Sequence, residues 1–141
     1  MAVGNSPEAK MAKNIFQSAV INGAPKDVYE MLMDSKKHAR FTGAPARIGR
    51  AEGSLFSAYG GHLVGRTIEA VPAKRLVQAW RAADWTAGAY SIATFELSAL
   101  AGGKTKLTFT QFGVPDANVK SIRNGWRTYY WKPLMAAFSH T

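Results

Sequence analysis

Gly125-Trp126-Arg127-Thr128-Tyr129-Tyr130-Trp131-Lys132-Pro133-Leu134 places four aromatic side chains within ten positions, and Phe138 follows. From about Asn118 onward, Val119, Ile122, Trp126, Tyr129, Pro133 and Ala137 fall on one helical face, with Tyr130 at its edge. Lys120, Arg123 and Arg127 flank that face. The spacing predicts one long amphipathic helix over residues 118–138. Gly125 lies inside it, where glycine costs about 1 kcal/mol relative to alanine. A small residue there predicts close backbone approach to the sheet. Pro133 removes one helical hydrogen bond, which predicts a kink near Tyr129. Trp131 is expected to point away from Trp126, either as an exposed contact beside Arg127 and Lys132 or as a cover for a sheet edge.

Before this helix the pattern has a different period. Ala46–Gly49, Ser54–Tyr59, His62–Val71, Arg75–Ala82, Ala89–Leu97 and Thr105–Phe112 are short runs broken by turn residues. Pro72-Ala73-Lys74, Gly60-Gly61 and Gly102-Gly103 supply the breaks. Ser91, Ala93, Phe95 and Leu97 share one strand face, as do Leu107, Phe109 and Gln111. These features predict an antiparallel meander. Asn14–Ile21 alternates well enough to be a first strand. Pro25 suits the first turn of a helix and Asp27 complements its positive end. Val28, Met31 and Leu32 then recur at helical spacing over residues 25–33. Ser35 is a candidate cap for a second short helix reaching Phe41, and Thr42-Gly43-Ala44-Pro45 ends it. The fold class is α+β: a helix-grip fold in which a curved antiparallel sheet wraps a long C-terminal helix, with two short helices after the first strand.

A chain of 141 residues with 47% hydrophobic content can bury one proper core. No apolar run approaches the ~18 residues of a membrane span. Met1–Lys13 has no apolar segment of the signal-peptide kind, so the expected location is the cytoplasm. The absence of cysteine excludes disulfides, thiolate metal sites and cysteine nucleophiles. The net charge of +9 fits either a solvated surface or an acidic partner. The densest groups, Lys36-Lys37-His38-Ala39-Arg40 and Lys120, Arg123 and Arg127, do not resemble a nucleic-acid arm, and no nucleic acid is expected to bind.

A family resemblance rests on several ordered motifs. They are Phe41-Thr42-Gly43-Ala44-Pro45-Ala46, Gly53-Ser54-Leu55-Phe56-Ser57, Gly65-Arg66-Thr67-Ile68-Glu69 and Pro72-Ala73-Lys74-Arg75-Leu76-Val77-Gln78-Ala79-Trp80-Arg81. Trp85, Gly113-Val114-Pro115 and Gly125-Trp126-Arg127-Thr128-Tyr129-Tyr130-Trp131 complete them. Together they resemble the C-terminal domain of the activator of the ninety-kilodalton heat-shock chaperone's ATPase, within the START-related (SRPBCC) superfamily. The resemblance runs from about Ile15 to Phe138. It implies a helix-grip domain, expected over residues 14–141; Gly4, Asn5, Ser6, Pro7 and Glu8 predict a loose tail over 1–13 before it. It also implies a hydrophobic cavity between sheet and helix, and a link to stress response. Small bacterial members consist of this domain alone. The co-chaperones of the family have a separate N-terminal domain for which this chain has no room. Trp85-Thr86 stands where many relatives have Trp-Pro. The superfamily has no universal catalytic motif, so the resemblance carries no catalytic residue onto this chain.

The chemistry-bearing residues are sparse. His38, His62 and His140 stand alone, each reading as a core or surface histidine, and no metal or other cofactor is expected. There is no nucleophile elbow and no phosphate loop. Glu69, which matches a glutamate of the family pattern, would act as an acid or base only if it faced the cavity. The alternative is a solvent-facing residue paired with Arg66 or Arg81. Gln111 would place an amide in apolar surroundings and needs partners, from Tyr130, a ligand or the backbone.

Three functions follow as expectations. The first is noncatalytic binding of a small hydrophobic or amphipathic molecule. In it Trp126, Tyr129 and Tyr130 form the helix wall, Phe56, Trp80, Phe95 and Phe109 the sheet wall, and Gln111 orients the ligand. The aromatic residues serve equally well as core. The second is co-chaperone-like binding to a heat-shock chaperone, as monomer or homodimer. The third is a cyclase- or hydrolase-type enzyme using Glu69 or Tyr130.

Overall fold

A computed structural model describes residues 12–139. Its elements are β1 (Ala12–Ile21), α1 (Pro25–Met33), α2 (Ser35–Thr42), β2 (Arg47–Ile48), β3 (Leu55–Ala58), β4 (Leu63–Val71), β5 (Arg75–Ala82), β6 (Ser91–Leu100) and β7 (Lys104–Pro115). The C-terminal helix follows as α3 (Val119–Trp126), a π-helical turn (Arg127–Trp131) and α4 (Lys132–Ala137). The strands form one antiparallel sheet in the order β1-β7-β6-β5-β4-β3-β2. Sheet and C-terminal helix together make the helix-grip architecture.

The alternation in the sequence sets which face is inside. On β6, Ser91, Ala93, Phe95 and Leu97 are buried, and on β7 so are Thr105, Leu107, Phe109 and Gln111. The helices contribute Val28, Tyr29, Leu32 and Met33 of α1 to the same core, with Trp126, Tyr130, Trp131 and Leu134 from the C-terminal helix. Each of the larger side chains contributes roughly 2–3 kcal/mol by leaving water.

Two local expectations are corrected. Ser35 does not cap α2. Asp34 does, its Oδ2 accepting the Lys37 N–H at 2.9 Å. The Ser35 hydroxyl instead accepts the Ile48 N–H at 2.8 Å, which ties α2 to β2. The second correction concerns Trp131, which does not point away from Trp126 and is not exposed; it is buried against the edge strand β1, as the sheet-edge alternative had it. Its indole N–H donates to Gln17 Oε1 at 2.7 Å, and its ring stacks on Trp126 at 5.3 Å and 19°. In a regular α-helix, residues five apart differ by about 140° around the axis. The π turn removes that difference. The Lys132 N–H reaches the Arg127 carbonyl, five residues back, so Trp126 and Trp131 lie one above the other on the sheet side.

The expected disturbance at Pro133 therefore takes the form of a π turn. Pro133 has no N–H to give to the Tyr129 carbonyl four residues back. That carbonyl accepts the Tyr59 hydroxyl at 2.5 Å instead. Tyr59 stands between β3 and β4 with φ 50°, and Gly60 and Gly61 continue the left-handed turn at 65° and 97°. Left-handed backbone is uncommon for a non-glycine residue, and here it directs the Tyr59 ring toward the helix.

Candidate functional site

The C-terminal helix and the β3–β4 turn enclose a cleft of about 410 Å³. The helix side consists of Ser121, Ile122, Gly125, Trp126, Tyr129 and Tyr130. The opposite side consists of Tyr59, His62, Leu63 and Trp80. Tyr129 is 57% exposed and marks the mouth, whereas Trp80, Trp126 and Tyr130 are buried and form the floor. No lysine, arginine, aspartate or glutamate lines it among the described residues.

Four of the eight residues expected to line a cavity meet here: Trp80, Trp126, Tyr129 and Tyr130. The other four lie elsewhere. Phe95 and Phe109 are packed into the core, their rings 5.1 Å apart and, respectively, 5.7 and 4.3 Å from Trp126. Phe56 packs against Gly65 of β4, where a Cβ would come within 2.6 Å of its ring and 1.9 Å of the Ala79 carbonyl. Gln111 is fully buried and held at both ends of its amide. Its Nε2 donates to Ser91 Oγ at 2.9 Å, and its Oε1 accepts the Trp126 indole N–H at 2.7 Å. The partners of Gln111 are therefore Trp126 and Ser91 rather than Tyr130, and the amide fixes the Trp126 ring that floors the cleft.

Three further lining residues, Tyr59, His62 and Gly125, were not among those expected from the sequence. Tyr59 was legible only as the end of a strand before two glycines. Burial, with Tyr129 beside it, pushes its phenol pKa up to about 12, so it is a neutral donor at ordinary pH. Gly125 does not serve the close backbone approach expected of it. A Cβ built there would meet only Tyr129 Cδ2, at 3.8 Å, an ordinary contact.

Behind the floor, His38 and Tyr130 form a buried pair. The Leu32 carbonyl can only accept, so His38 Nδ1 is the donor at 3.1 Å. The neutral ring then accepts the Tyr130 hydroxyl at Nε2, 3.0 Å away. Burial holds the imidazole below its ordinary pKa, with the Leu32 bond opposing. Burial also pushes the Tyr130 phenol well above its ordinary range. His38 is thus a satisfied core histidine.

Glu69 lies away from the cleft on the outer face of the sheet. Its partner is Arg75, at 2.7 Å, rather than Arg66 or Arg81, and Arg75 also holds Glu96 at 2.6 Å. All three side chains are about half exposed, so the cluster contributes little to stability. Among the described residues no cluster of three or more His, Asp or Glu could hold a metal ion. No helix among them is long and apolar enough to cross a membrane.

Residues 22–139 match the family model described as Activator of Hsp90 ATPase homolog 1-like protein. The chain belongs to this family. An activator of 90 kDa heat shock protein ATPase homolog from Dictyostelium discoideum is 27% identical over 118 residues, which is 84% of this chain and 31% of that protein. This family member thus spans about a third of that relative's length. Among solved structures, an HSP90 activator from Plasmodium falciparum superposes with a TM-score of 0.78 at 21% identity, over 90% of this chain and 95% of that one. A protein from Chromobacterium violaceum does so at 0.73 and 26% identity, over 91% and 98%. These likenesses agree with the helix-grip fold of this Hsp90-activator-like chain.

Proposed function

We propose that this protein binds a small, mostly apolar molecule in the cleft between the C-terminal helix and the β3–β4 turn. The observation that carries the reading is the cleft itself. It is open at Tyr129, floored by aromatic rings and free of charged side chains, and its volume of about 410 Å³ lies within the usual range for small-molecule sites. His62 and Ser121 supply polar groups near a ligand that is otherwise held by apolar contact. No step of chemistry is required. Glu69 is paired with Arg75 on the other face of the sheet, and the Tyr130 hydroxyl is given to His38.

Native mass spectrometry of the purified protein tests the reading, with a co-purifying molecule as the expected result. Tyr129→Ala is the appropriate variant, because Tyr129 is exposed and its loss spares the core. It should weaken binding of that molecule about tenfold, the loss of a bit over 1 kcal/mol of ring contact. Undiminished binding by Tyr129→Ala would place the ligand elsewhere.

A second reading is favoured by the family. The family and its Dictyostelium member are named as homologs of an activator of the Hsp90 ATPase, and a charge of +9 would steer this chain toward an acidic partner in the cytoplasm. Under this reading the protein binds an Hsp90-type chaperone and raises its ATPase turnover, more strongly at low salt. An unchanged turnover at low salt would sink it.

A further inference from the structure

The twelve described glycines fall into two groups and one exception. Gly43, Gly53, Gly60, Gly61, Gly88, Gly102, Gly103 and Gly113 have positive φ. Gly23, Gly49 and Gly65 have a neighbouring atom within 2.4 Å of where a Cβ would sit. Gly125 has neither reason. It lies within α3 on ordinary helical backbone, its Cβ position has room, and glycine weakens a helix at such a site. What distinguishes Gly125 is that it forms part of the cleft wall.

Half of the cleft wall that Gly125 shares is aromatic, with Tyr59, Trp80, Trp126, Tyr129 and Tyr130 beside His62, Leu63, Ser121 and Ile122. Flat aromatic walls suit a flat occupant, which gains stacking and edge contacts that a branched aliphatic chain cannot match. The wall carries no ionised Lys, Arg, Asp or Glu to hold a charge inside it, and an unpaired charge there would be costly.

The geometry points to Gly125 as the residue that sets what the cleft accepts, namely a neutral molecule with a planar ring system seated against the helix backbone that Gly125 leaves without a side chain. This rests on the small-molecule reading above and gives that site its ligand class. A Cβ at 125 has room, and a side chain growing from it would enter the ring's place from the cleft wall.

Two fluorescent probes with the same ring skeleton test it: N-phenyl-1-naphthylamine, which is neutral, and 8-anilino-1-naphthalenesulfonate, which adds a sulfonate. The wild-type protein should bind the neutral probe more tightly, even though its +9 charge attracts the anion. Gly125→Ala should melt a few degrees higher and bind the neutral probe more weakly. Gly125→Leu, folded by circular dichroism, should lose about tenfold or more in affinity. Equal or tighter binding of the sulfonate overturns the neutral class. Gly125 variants that are folded and bind like wild type overturn the role of Gly125 and leave the cleft reading standing. A lower melting temperature in Gly125→Ala shows that the glycine is kept for packing, which also overturns that role. If the wild type binds neither probe, the cleft reading fails and takes this inference with it.

Discussion

The Tyr59 hydroxyl donates to the main-chain carbonyl of Tyr129 at 2.5 Å, taking the place of the amide that Pro133 lacks. A helix defect in one part of the chain and a left-handed turn in another thus complete each other. The two rings meet edge to face at 5.7 Å, at the mouth of the cleft.

Tyr59→Phe keeps the ring and removes the donor. It should cost about 1 kcal/mol, a fall in Tm of about 3 °C for a chain of this size. In a Pro133→Ala background the new amide can serve the Tyr129 carbonyl, so the same change should cost less. A double-mutant cycle by thermal melting measures the difference, and equal costs in both backgrounds would contradict the linkage. The raised Tyr59 pKa adds an alkaline effect. The folded state holds this proton from the ordinary 10.0 up to about 12, so its contribution is complete below pH 10 and fades between about 10 and 12. Tyr59→Phe should remove that part of the alkaline slope.

The His38 pair makes the opposite kind of prediction. The imidazole pKa is lowered from 6.5 by burial, so the unfolded chain takes up a proton more readily than the folded one. Stability contributed by neutral His38 is present above about 6.5 and falls as pH drops through the lowered value. Urea denaturation between pH 8 and pH 5 should show this decline, with a flatter profile in His38→Gln. His38→Ala should cost more, about 2–3 kcal/mol, because it leaves the buried Tyr130 hydroxyl without an acceptor. A wild-type profile that stays level over this range would contradict the assignment.

Gln111 is surrounded by apolar side chains, yet leucine should be a poor substitute. Gln111→Leu leaves the Trp126 indole N–H, and the hydrogen bond that Ser91 accepts, without partners in the core. The expected loss is about 2–4 kcal/mol by urea denaturation. Tryptophan emission should shift as the Trp126 ring loses its anchor. A neutral or stabilising effect would mean that the amide network contributes nothing to the core.

The sheet was legible in the sequence because one face is buried and the pattern has to alternate. Ser91, Ala93, Phe95 and Leu97 reveal their facing without further information. The helical face was legible as far as Trp126 and then lost phase. A π turn adds a residue that no propensity marks, so Tyr129 moved to the mouth and Trp131 moved inside. Pro133 was the one local sign of the disturbance, and it located the event without revealing its form. The cleft was half legible. Large aromatics are chosen for cores and for pockets alike, so Phe95 and Phe109 read the same as Trp80. Gly125 and Tyr59 could not be assigned to the cleft, because their meaning depends on what stands opposite them in space.

The pairing of β1 with β7 has a consequence for how the chain assembles. Residues 12–21 find their hydrogen-bond partners at 105–115, so β1 has to wait until β7 has been synthesised. The meander from β2 to β7 can zip by neighbouring hairpins, whereas β1 docks only after closing a very long loop, the slow kind of contact. Until then its apolar positions, Ile15 and Ile21 among them, have no sheet to cover them. In pulsed hydrogen exchange during refolding, the amides of β1 should be protected after those of β5 and β6. Of the strands in this sheet, the earliest in sequence is the last to be seated.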